Sequence, residues 1–102
     1  MLIGRAVEKP SLGVVRRLKR VLHTSLELPE SAVITVTQLA CLEDDCSPLE
    51  TVFGLLQENA SLRQFKIHKP TSAIDAEDLH RVCQEWGFLV SVSTIKNALN
   101  EV

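Results

Sequence analysis

The stretch ETVFGLLQENASLRQFKIHK, residues 50–69, decides the fold. In its second half Phe65 and Ile67 alternate with Gln64, Lys66 and His68, so an extended chain turns one face apolar and the other polar. A strand with one wet face belongs to a sheet covered by helices on one side only. In its first half Phe53 and Leu55 supply the matching core positions, and only ENAS separates the two runs. So short a connector suits a hairpin and is too short for a parallel crossover. Upstream, AVITVTQLA, residues 32–40, is a third β-branched run with Ile34 and Val36 toward the core, joined to the second by LEDDCSP. The three runs predict an antiparallel meander.

Helical spacing flanks the meander on both sides. Residues 11–26 place Leu12, Val15, Leu18, Leu22 and Leu26 on one stripe, with Ser11 as an N-cap after Pro10 and Pro29 barring any continuation. The opposite side carries Arg16, Arg17, Lys19, Arg20 and His23. A second helix starts near Asp75, which forms a capping pair with Asp78; it presents Leu79, Val82, Cys83 and Trp86 and stops at Gly87. FLVSVSTIKNALNEV then alternates before Ile95, Ala98, Leu99 and Val102 recur at helical spacing, which predicts a short strand or extended segment and a last helix. The expected fold class is α+β: a helix, a three-stranded antiparallel meander, a helix and a short C-terminal strand/helix tail, with the helices on one face. One domain spans residues 1–102, with an arm over 1–10, a core over 11–86 and a tail over 87–102.

Composition limits the function classes. At 102 residues and 45% hydrophobic content the chain builds one core, too small to enclose a large cofactor. It has no apolar run long enough for a membrane span, and MLIG is too brief for a secretory signal, so a soluble, cytoplasmic protein is expected. Three cysteines, an odd number, suit a reducing compartment. Charge is uneven. Residues 1–23 hold six basic residues against Glu8 alone, a net of +5, which leaves −7 for the remainder of a chain at −2. A basic, acid-poor start is also the composition of a transit peptide, but this segment is needed to cover the sheet. A basic helical face can meet nucleic acid, or stay a solvated surface, which is the commoner case. The few aromatics, Phe53, Phe65, Phe88 and Trp86, fall mostly on core positions, which makes nucleic-acid binding an unfavoured reading. Phosphate-binding glycine loops, dinucleotide fingerprints and nucleophile elbows are absent.

In a meander the end of strand one, the start of strand two and the end of strand three share one rim. Cys41, Glu43, Cys46, Glu50 and His68 therefore converge, with Lys66 and Lys69 beside them. As a metal site, Cys41 and Cys46 offer thiolates with four residues between them, His68 a third ligand, and Glu43, Glu50 or water a fourth, a donor set suited to zinc. As a thiol site, the cysteines could pair or react, although Glu43, Asp44 and Asp45 oppose a thiolate. As plain structure, Asp44, Asp45 and Pro48 build a turn and the cysteines fill space. The last reading accommodates a binding role, because the open sheet face offers Thr35, Thr37, Gly54 and Lys66 to a protein partner or a second copy. An interaction protein without catalytic activity is the favoured expectation, zinc-binding accessory protein the alternative and thiol-dependent redox protein the third.

Residues 40–51, Ala-Cys-x-Glu-x-x-Cys-x-Pro-x-Glu-Thr, followed by Lys66-Ile67-His68-Lys69-Pro70, resemble a family of small bacterial proteins that sometimes carry a nitrate-reductase-associated label. The resemblance covers residues 36–70, and Ser47 departs from the proline expected there. It implies which residues to test and at most an association with such an enzyme, since a chain this short cannot house molybdopterin catalysis.

Overall fold

The computed structural model of the chain describes residues 11–40 and 49–101. Expectations that concern residues 1–10, 41–48 and 102, among them Cys41, Glu43 and Cys46, lie outside the described residues. The element order is α1 (Leu12–Ser25), β1 (Val33–Ala40), β2 (Leu49–Leu56), β3 (Arg63–Ile67), a 3-10 turn (Thr71–Ala73), α2 (Ala76–Glu85) and α3 (Val92–Glu101). This is the expected α+β class. The sheet has the order β1-β2-β3, antiparallel throughout, with Phe53 opposite Val36 on one side and Phe65 on the other.

Period-two alternation divides the sheet cleanly. Ile34, Val36, Thr51, Phe53, Leu55 and Ile67 are buried on the core face, joined by Leu18 and Leu22 of α1, Leu79, Val82 and Cys83 of α2, and Ile95 of α3. Helix α1 packs on β1 and α2 on β3, and α3 lies against both helices. Because α1 is flanked by a sheet and a helix, it buries a wider arc than a single stripe. Val21 is fully buried, whereas Leu12, expected on the stripe, is 70% exposed in the first turn.

The helix ends follow local chemistry. Ser11 occupies the N-cap of α1 without a side-chain hydrogen bond. At α2 the Asp75 carboxylate accepts from Asp78 N (2.9 Å) while Asp78 accepts from Asp75 N (3.1 Å), a complete capping box. Gly87 then turns left-handed at φ 88°, and Phe88 N reaches Cys83 O (2.9 Å), closing the last turn. Residues 88–91 form no strand. Ser91 Oγ accepts from Thr94 N (3.2 Å) and starts α3, whose Ile95 and Ala98 are buried. The last helix is part of the core packing.

Candidate functional site

Strand register brings together what the sequence separates. Thr51 lies opposite Ile67, and one step further toward the rim Glu50 meets His68. Ala40 pairs with Leu49, so segment 41–48 leaves and re-enters the sheet at this same rim. Glu50 points to the helix-free face, yet it is only 7% exposed. Its Oε1 lies 3.4 Å from Lys66 Nζ and its Oε2 3.2 Å from His68 Nδ1. A carboxylate with both oxygens engaged is a poor first ligand for a metal. It is a good orienting group, because an imidazole that donates from Nδ1 leaves its Nε2 lone pair available to a metal or a proton. Nε2 of His68 has no partner among the described residues, and its side chain is mostly exposed.

A buried polar knot lies beneath. Thr51 Oγ1 donates to Lys69 O (2.8 Å) and lies 3.4 Å from Thr71 Oγ1, while Thr71 N donates to Gln38 Oε1 (2.8 Å). Thr51 and Thr71 are almost wholly buried, so these bonds satisfy groups that water cannot reach. They fold residues 67–71 back over the end of the sheet. Lys69, counted with the rim from sequence, turns the other way: Nζ is 2.9 Å from Asp78 Oδ2 and 3.9 Å from Asp75 Oδ2. Its pKa is raised, first by the hydrogen bond to Asp78. Asp75 is lowered, first by the backbone N–H of Asp78. Lys69 thus anchors α2 to the rim.

Thr35 and Thr37 stand exposed on the helix-free face as expected. Gly54 lies directly across from Thr35, and a β-carbon there would collide with Thr35 Oγ1. The glycine makes room for a neighbouring side chain of its own sheet. Among the described residues no three His, Cys, Asp or Glu side chains are grouped to hold a metal. Cys83 is fully buried, and desolvation pushes its thiol up to about 11. Any thiol chemistry therefore falls to Cys41 and Cys46.

A second feature escaped sequence reasoning. A groove of about 460 Å³ runs between α1 and the start of β1, lined by Arg16, Lys19, Arg20, His23, Thr24 and Ala32, Val33 and Ile34. Arg17 is turned away and donates to Leu99 O (2.9 Å) at the end of α3. The spacing of residues 16, 19, 20 and 23 marks one helical face, but nothing in the sequence said that this face overhangs a strand.

Comparison with protein-family models, with curated proteins and with solved structures finds no match for this chain. No helix among the described residues is long and apolar enough to cross a membrane. Fold and site define a small α+β domain with a one-sided sheet, and its function is argued from its own residues.

Proposed function

We propose that this chain is a non-enzymatic interaction protein that docks a protein partner on the helix-free face of its sheet. The observation that carries this reading is the apolar exposure there: Val33, Leu39 and Leu56 are 45–50% exposed on strands whose opposite face is fully packed. Val33 and Leu56 are a cross-strand pair, and Thr35 and Thr37 continue the surface toward Leu39. An antiparallel sheet with a solvated face ordinarily keeps it polar, so apolar side chains on it favour a protein surface. A reducing, cytoplasmic setting suits three cysteines of which one is a buried free thiol. The test is photo-crosslinking in the source cells from Thr37 and Leu56, with exposed Glu77 on α2 as the control position. A discrete adduct from the sheet positions alone, lost in Val33→Lys, is expected. Equal adducts from all three positions, or adducts unaffected by Val33→Lys, would refute the docking face.

A second reading rests on a separate observation, the orientation of His68 by Glu50. In it the rim binds zinc through Cys41, Cys46 and His68, with Glu43 or water completing the set and Glu50 holding the imidazole. The resemblance of residues 36–70 to the small bacterial proteins points to these same positions. Native mass spectrometry of the reduced, untagged protein purified without chelator decides it. One zinc per chain, lost in Cys41→Ser and in His68→Ala, is expected; a metal-free wild type that refuses added zinc sinks this reading.

A further inference from the structure

The two edges of the sheet are not alike. β3 is five residues long and carries Arg63 and Lys66, and Arg63 reaches across to Trp86 O and stacks 5.7 Å from the Phe88 ring. Short, charged and partly covered, it is an edge that resists further pairing. β1 is eight residues long, VITVTQLA, with no charge, no proline and an unbroken register against β2. No strand pairs with its outer side among the described residues. Beside it stand Arg16, Lys19 and Arg20, none of which has a carboxylate partner among the described residues, and His23, whose Nε2 donates to Pro29 O (3.1 Å). Glu27 and Glu30, in the connector to β1, do not line the groove.

From this pairing of an unprotected edge with a cationic overhang, we infer that β1 accepts an extended acidic segment of a partner protein as a fourth strand. Main-chain hydrogen bonds to β1 provide the pairing, and side chains on one face of the added strand reach the cations. From Arg16 to His23 the helix rises about 10 Å, the span of about three strand residues, so two acidic side chains at alternate positions cover the stripe. The intervening side chains fall beside Val33 and Thr35 on the helix-free face and are apolar or β-branched. The recognised segment is therefore an alternation of carboxylates with valine, isoleucine or threonine.

Other occupants fit less well. A second copy pairing β1 with β1 would bring no carboxylate to either cationic stripe, since VITVTQLA is uncharged. Residues 1–10, with Arg5 and Lys9 against Glu8, do not complement the groove. Residues 43–45 of the same chain are acidic, but the described chain ends at Ala40 and resumes at Leu49, a pair at the far rim. The groove begins about 20 Å from that rim, at the other end of β1. Nucleic acid would use the charges but not the strand edge.

The inference rests on the interaction reading and names a partner chemistry for it, on a surface that crosslinks from Leu56 do not report. Its test is a binary titration of the purified full chain with a synthetic peptide of about seven residues alternating glutamate with valine and threonine, read by fluorescence anisotropy and amide hydrogen exchange. Expected are saturable binding, slowed exchange within residues 32–36, about tenfold weaker affinity for Arg16→Glu/Arg20→Glu, and loss of binding when alternate peptide amides are N-methylated. Failure to bind at millimolar peptide, undiminished binding of the N-methylated peptide, or tighter binding of a single-stranded oligonucleotide without slowed exchange would each overturn it. So would a wild-type dimer, found by sedimentation before peptide is added, that already protects residues 32–36.

Discussion

Thr51 holds two segments with one hydroxyl, donating to Lys69 O and lying beside the hydroxyl of Thr71, all of it away from water. Thr51→Val keeps the shape and leaves Lys69 O unpaired, so equilibrium unfolding in urea is expected to show a loss of about 1–3 kcal/mol, most of it recovered by Thr51→Ser. Gly54 makes a different point about the same sheet. Gly54→Ala forces the Thr35 hydroxyl to move, and its cost is expected to shrink when Thr35 is already alanine; a double-mutant cycle with no coupling between the two positions would contradict the close approach. The sequence placed Gly54 on a face open to a partner, a reading that did not turn on its contact with Thr35. A one-residue pattern cannot reveal its cross-strand neighbour until the register is known. Cys83, by contrast, was legible as core from its place on the apolar face of a helix. With its thiol buried and pushed up to about 11, it is expected to resist thiol reagents at neutral pH until the protein is denatured.

At the scale of elements, both well-defined helix stops use the same closing bond between residues five apart, but with different residues in the left-handed position. After α2 it is Gly87; after α1 it is Glu27, at φ 50°, with Leu28 N bonded to His23 O (3.1 Å). A side chain there is strained, so Glu27→Gly is expected to stabilise the protein by about 1 kcal/mol in thermal or chemical unfolding. The cap of α2 carries the pH dependence. Asp75 has its folded pKa below the ordinary 3.8, so its contribution is present above that value and is lost as pH falls through the lower one. Lys69 is raised above 10.5, so its contribution is full below that pH and is lost as pH rises through the folded value. Cys83 adds to the alkaline loss between its ordinary 9.0 and about 11. Unfolding midpoints against pH are expected to decline at both extremes, and Asp78→Asn, which weakens the link to Lys69, should flatten the alkaline arm. The capping box was legible because Asp75 and Asp78 stand three apart before an apolar run. The start of α3 was not, because β-branched VSV alternates as a strand does, and only Ser91, an N-cap hidden in that alternation, marks the helix.

For the molecule as a whole, the meander was readable because each strand carries its own alternation and each connector is short. The meeting of Glu50 and His68 was readable as a consequence of that topology, and the described residues there sort by role only in three dimensions: Glu50 holds the His68 imidazole, His68 presents Nε2, and Lys69 binds α2. Their assignment makes a graded prediction for zinc. Under the proposed zinc reading, metal titrations monitored by a competing chromophore are expected to show affinity weakened about 10–100-fold in Glu50→Gln, as for loss of a supporting carboxylate, and abolished in His68→Ala; equal affinity in wild type and both variants would contradict it. The cationic groove was not readable, since it needs the distance between a helix face and a strand edge.

That strand edge also governs how the protein behaves in the tube. An uncharged eight-residue edge is a template for stacking, and the positive charge at one end of it opposes the close approach of a like-charged second copy. Salt screens that repulsion within about 10 Å at 0.1 M. Concentrated stocks should therefore turn cloudy sooner in high salt than in low, the reverse of a protein held together by ion pairs, and dilute buffer would be the safer place to keep it.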